Sequence, residues 1–145
     1  MLSLYISITK AQTIADPVKW TVTTQKISAD RYKIILSAEI QKGWHIYSQN
    51  QPANAVSTPT SFEFEPKDKL VLTGKTCEEG RKETQNVPEA GIKQYYYADK
   101  VRFVQTIKMK SSASAEGCIR VTYMPCTNKE CLPEKTKSLS FKIGK

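Results

Sequence analysis

Cys126 and Cys131 are separated by four residues in a polar run flanked by Pro125 and Pro133. Strand-like segments stand on either side, Cys118 to Tyr123 before and Thr136 to Ile143 after. A cysteine pair at a hairpin tip can close into a disulfide without large backbone movement, because the hairpin already folds the chain back on itself. The enclosed loop is short, so closing it removes little entropy from the unfolded chain. Such a bond is a weak staple and suits reversible exchange. Exchange needs a thiolate, an accessible sulfur and room for a partner to approach in line. Pro125 removes a backbone donor beside Cys126, and Pro133 restricts how the next strand begins. Nearby charge is divided: Lys129, Lys135 and Lys137 favour a thiolate, while Glu130 and Glu134 oppose it. A purely structural disulfide is the competing reading. Zinc fits less well, since a structural site wants four ligands and usually closer pairs.

The other reactive side chains say less. Cys77 follows the turn at Gly74, and Cys118 opens a strand. They are read either as a second, structural disulfide or as two buried free thiols, since free cysteine behaves as a small hydrophobe. His45, the single histidine, lies between Trp44 and Ile46, where a packed or surface role competes with a functional one. Tyr95, Tyr96 and Tyr97 either shield the cysteines and face a partner, or alternate between core and surface. Trp20 and Trp44 are read as core.

The positioning elements are short strands. Val18 to Gln25, Arg31 to Gln41, Trp44 to Tyr47, Thr60 to Glu65, Leu70 to Thr73, Gln94 to Ala98, Val101 to Lys110, Gly117 to Tyr123 and Thr136 to Ile143 carry β-branched and aromatic residues between turn signals. Residues 48–59, rich in Gln, Asn, Pro and Ser, read as a loop. Residues 75–93, polar and carrying Gly80, Pro88 and Gly91, read as a long one. Eight or nine strands without a useful helical period imply an all-β chain, an antiparallel β-sandwich.

Composition limits the rest. A chain of 145 residues with 39% hydrophobic content suits one domain with a real core. The net charge of +8 comes from scattered lysines, the pattern of a solvated face rather than a nucleic-acid surface. Phosphate-loop, dinucleotide and His-Glu-x-x-His motifs are absent from the sequence. No internal stretch is long enough to span a membrane. Residues 1–15 differ in composition from the remainder, residues 16–145. Their apolar run, Leu2 to Ile8, reads as the remnant of a secretory signal or as an ordinary strand or leader.

Taken in order, Pro17-Val18-Lys19-Trp20, Lys42-Gly43-Trp44-His45-Ile46-Tyr47, Pro59-Thr60-Ser61-Phe62-Glu63-Phe64 and Tyr123-x-x-Cys126 with Cys131-Leu132-Pro133 resemble the N-terminal domain family of the thiol:disulfide interchange protein DsbD, over residues 16–143. The resemblance implies an immunoglobulin-like sandwich in the bacterial periplasm, often the extracytoplasmic part of a membrane protein. It implies a protein-disulfide reductase component that needs no cofactor and no metal. Its donor would be membrane-embedded or thioredoxin-like, and its acceptors thioredoxin-like periplasmic proteins, including those of cytochrome c biogenesis. No nucleic acid and no membrane insertion of this chain is implied. Cys126 and Cys131 match the family's active pair, with Cys131 in the place of the cysteine that forms the mixed disulfide. His45 and Tyr47 fall on a strand that lines the site. Arg81 to Tyr97, which includes Tyr95, falls where the family carries a cap over the cysteines. The rival from another class is a secreted immunoglobulin-like binding module whose hairpin disulfide is structural.

Overall fold

The structure, a computed structural model, describes residues 16–110 and 114–144. The expectations for residues 1–15 lie outside the described residues. Ten strands run through the described chain: β1 (Val18–Lys26), β2 (Arg31–Ile40), β3 (His45–Tyr47), β4 (Ser61–Glu65), β5 (Leu70–Gly80), β6 (Glu83–Val87), β7 (Ile92–Ala98), β8 (Lys100–Met109), β9 (Ala115–Tyr123) and β10 (Lys135–Ile143). All pairings are antiparallel. The fold is the expected all-β, immunoglobulin-like antiparallel sandwich.

One sheet has the order β1-β2-β8-β5. Opposite it lie β10-β9-β4 and β3-β7-β6, joined where Cys126 bridges to His45. The chain beyond β9 thus pairs with β3, while β9 itself pairs with β4. Between the layers sits one core. Ile34, Leu36, Phe103 and Ile107 enter from the first sheet, and Ile46, Ile119, Val121 and Tyr123 from the second. Trp20 is its hub, with ring centroids 5.9 Å from Phe103, 5.3 Å from Tyr123 and 6.3 Å from Phe62. In β4, Phe64 is buried and Phe62 only partly so, both packed with the core. Trp44, just ahead of β3, is partly buried against it.

The long loop expected over residues 75–93 is instead ordered strand. β5 continues to Gly80, β6 and β7 form a hairpin, and Pro88–Ala90 make a single 3₁₀ turn between them. The sequence hides this because β5 and β6 are edge strands. Their residues are mostly exposed or half-buried, so neither carries an apolar alternation. A register shift between Thr73 and Cys77 breaks the pattern further, with Gly74 in the left-handed region at φ 73°. Buried Gln105 fills that bulge: it accepts from the Thr76 hydroxyl at 2.6 Å and donates to the carbonyls of Thr73 and Gly74.

Candidate functional site

The site grows from the tip of the β9–β10 hairpin. Thr127 N–H donates to the Glu130 carbonyl at 2.7 Å, closing a turn around Asn128 and Lys129. The Thr127 hydroxyl oxygen accepts from the N–H groups of Lys129 and Glu130, as serine and threonine side chains do in tight turns. One step inward, Cys126 and Cys131 face each other as a bridge pair, and Leu132 N–H donates to the Pro125 carbonyl at 2.9 Å. The two cysteines therefore occupy a non-hydrogen-bonded position, where opposing residues come closest. Their Cα atoms are 4.0 Å apart, and their sulfurs are joined in a disulfide.

The two ends of this bond are unequal. Cys126 is 0% exposed, whereas Cys131 is exposed, as are Asn128, Lys129 and Glu130 around it. The burial of Cys126 follows from its second neighbour strand. His45 and Cys126 exchange both backbone hydrogen bonds, at 2.9 and 3.0 Å. Directly opposed residues of an antiparallel pair share a face, so the His45 and Cys126 side chains lie on the same side.

Alternation in β3 places His45 and Tyr47 on the face away from Ile46, which belongs to the core. Both are nonetheless buried. The His45 Nε2 lies 3.1 Å from the Tyr47 hydroxyl, and its ring sits 4.6 Å from that of Tyr96. Burial pushes the His45 imidazole below the ordinary histidine value. Burial, with Tyr96 adding to it, pushes the Tyr47 phenol up. The Tyr47 carbonyl accepts from both the N–H and the hydroxyl of Thr60, at 3.4 and 2.6 Å, which ties the far end of the 48–60 loop to β3. The near end is held by Glu78, whose carboxylate accepts from the Ser48 hydroxyl, Gln49 N–H and the Tyr97 hydroxyl at 2.6 to 2.8 Å.

The structure thus brings Cys126, Cys131, His45 and Tyr47 together. Tyr95 stands apart. It lies on the opposite face of β7 from Tyr96, with the ammonium groups of Lys82 and Lys93 at 5.0 and 5.9 Å from its ring centre. Tyr96 is the tyrosine that meets His45. The β3–β7 register selects it, pairing Tyr47 with Tyr96, and that register is invisible in three consecutive tyrosines. Tyr97 enters the core.

Cys77 and Cys118 correct the expectation for them: both are free, Cys77 exposed on β5 and Cys118 half-buried on β9. They belong to different sheets, and neither is a fully buried thiol. Among the described residues no cluster of three or more His, Cys, Asp or Glu side chains is placed to hold a metal, and no helix is long and apolar enough to cross a membrane. Of the charged residues near the pair, Lys137 is engaged by Asp16 at 3.0 Å, and Glu134 accepts from Thr58 at 3.3 Å.

Among solved structures the chain is similar to the N-terminal periplasmic domain of ScsB from Proteus mirabilis, at 20% identity and a TM-score of 0.63, over 87% of this chain and 46% of that one. It therefore spans under half of that chain's length. It is also similar to the reduced Neisseria meningitidis DsbD N-terminal domain, at 13% identity and a TM-score of 0.53, over 86% of each chain. At these identities the likeness speaks for the fold. A comparison with curated proteins finds no match. The sequence profile of the N-terminal domain of the thiol:disulfide interchange protein DsbD matches residues 11–143. With a disulfide at its hairpin tip and this profile along nearly its whole length, the chain belongs to the family of DsbD N-terminal domains.

Proposed function

We propose that this domain carries reducing equivalents in the periplasm and passes them to thioredoxin-like proteins through Cys126 and Cys131. The observation that carries this reading is the asymmetry of the disulfide, with an exposed Cys131 bonded to a fully buried Cys126. Exchange proceeds by in-line attack on a sulfur, so the exposed cysteine is the one that a partner can reach. In the reduced domain, the Cys131 thiolate attacks a partner disulfide. One partner sulfur leaves as thiolate, and a mixed disulfide forms. Cys126 then attacks the Cys131 sulfur, restoring the intramolecular bond and releasing the fully reduced partner. Two electrons pass from the pair to the partner, and cysteine sulfur carries both. Recharging by a membrane-embedded or thioredoxin-like donor runs the same steps backward.

The test is the redox equilibrium of the Cys126–Cys131 pair in graded thiol buffers, read by alkylation and intact mass. A reversible two-electron transition between roughly −180 and −270 mV, the range of thioredoxin-like carriers, is expected. A pair that stays oxidised below about −300 mV would instead mark a structural bond and a binding module.

A further inference from the structure

From the His45–Cys126 backbone pair we infer a specific proton acceptor for the resolving step: the His45 imidazole takes the Cys126 proton at Nδ1, and Tyr47 holds the ring in the tautomer that leaves Nδ1 free. This deepens the exchange reading above and rests on it. Cys126 is buried, so when it resolves a mixed disulfide its thiol must lose a proton where water has little access. His45 is the residue directly opposite it, through both backbone hydrogen bonds. Opposed residues have Cβ atoms about 4.5–5.5 Å apart on a common face. Nδ1 is bonded to the ring carbon that carries Cβ, so it is the ring nitrogen closer to the backbone of β3. Nε2 is directed elsewhere, 3.1 Å from the Tyr47 hydroxyl. With Nε2–H donating to that oxygen, the neutral ring keeps its lone pair on Nδ1.

The surroundings suit a neutral base. On β3 the titratable group facing the ring is Tyr47, on β7 it is Tyr96, and on the hairpin it is Cys126 itself. Among the described residues no charged side chain lies within hydrogen-bond or ion-pair distance of His45. Lys129 and Glu130 stand at the exposed tip. Burial keeps the ring unprotonated at neutral pH, ready to accept. The step balances: the Cys126 S–H bond breaks, its proton moves to Nδ1, its electron pair forms the bond to the Cys131 sulfur, and the Cys131–partner bond breaks. The partner leaves as thiolate, and the imidazolium returns its proton to that thiolate or to water. When a donor reduces the domain the steps reverse: the donor thiol or water first protonates Nδ1, and the imidazolium then passes that proton to departing Cys126.

Stopped-flow reaction of the reduced domain with the chromogenic disulfide DTNB separates the two steps, in a background with Cys77 and Cys118 replaced by serine. The first release of aromatic thiolate reports attack by Cys131, and the second reports resolution by Cys126. His45→Phe and His45→Gln are expected to leave the first phase unchanged and slow the second by about 100-fold near neutral pH. The difference should narrow as pH rises, because hydroxide then competes with the imidazole for the thiol proton. Tyr47→Phe should slow the second phase less than either. His45→Gln keeps a neutral polar side chain in the buried slot and guards against loss of the fold. A wild-type second phase in His45→Gln, or equal slowing of both phases, overturns the inference while leaving exchange intact. Absence of any release from the reduced parent domain overturns the exchange reading and this inference with it.

Discussion

Ile46 and His45 are neighbours in one three-residue strand, yet they enter different environments. Ile46 joins Phe103, Val121 and Tyr123 in the core between the sheets. His45 turns outward to Tyr47, Tyr96 and the Cys126–Cys131 bond. Both residues are buried, at 0% and 5% exposed. The inner face is closed by apolar contact, which is non-directional and tolerates exchange of one hydrophobe for another of equal volume. The outer face buries polar atoms that must find partners, so its geometry is specified atom by atom. The inner face gives the domain its stability. The outer face holds the Cys126–Cys131 disulfide in a defined setting.

The comparison breaks most sharply at the cysteines. Cys131→Ser is expected to abolish transfer to a protein disulfide, whereas Cys126→Ser should leave a mixed disulfide with partner that accumulates and is seen by non-reducing electrophoresis. Continued turnover by both variants would remove the site from the outer face. Next comes the inner face. Phe103→Ala deletes a fully buried ring packed on Trp20, Phe62 and Tyr97, at a cost of about 3–5 kcal/mol by denaturant titration. The molecules that remain folded should keep the parent reduction potential. A changed potential would mean that the two faces are coupled.

A smaller effect is expected where the faces meet the start of β1. Asp16 accepts from Val18 N–H at 3.0 Å and from the Tyr123 hydroxyl, and pairs with Lys137 at 3.0 Å. Burial alone would raise its carboxyl, but those three partners together hold it below the usual value. Burial first, and then the Asp16 carboxylate, push the Tyr123 phenol up. A carboxyl depressed in the folded state contributes stability above its unfolded value of 3.8, and that contribution is lost as pH falls through the folded value. Asp16→Asn should therefore cost about 1–3 kcal/mol at neutral pH and less in acid, in paired denaturant titrations. An equal cost at every pH would rule out the ionised clamp.

The smallest expected effect belongs to His45. Burial lowers its folded value, so the unfolded chain binds the proton first. Stability should fall as pH drops below 6.5 toward that folded value, and His45→Gln should flatten this part of the pH–stability curve. An unchanged slope would place the imidazole in contact with water.

Much of this was legible in the sequence. Strand-forming runs joined by short turns read as antiparallel β-structure, because a few residues reverse the chain but cannot make the long crossover that a parallel pair needs. The pairing of Cys126 with Cys131 at a hairpin tip was likewise local, since two flanking strands and a short polar turn bring the residues together without any distant contact. β5 and β6 were hidden for the opposite reason. An edge strand is held by backbone hydrogen bonds to one neighbour, and polar residues such as Thr73, Glu78 and Glu83 form those bonds as well as apolar ones do.

The sequence by itself determined the fold class, the hairpin and the cysteine pair that closes at its tip, all consequences of local periodicity and short-range closure. Tertiary structure alone decided which cysteine is buried, which tyrosine meets His45, and that Cys77 and Cys118 remain apart. Each of those depends on strand register between segments tens of residues distant, and a shift of one residue would reverse every face.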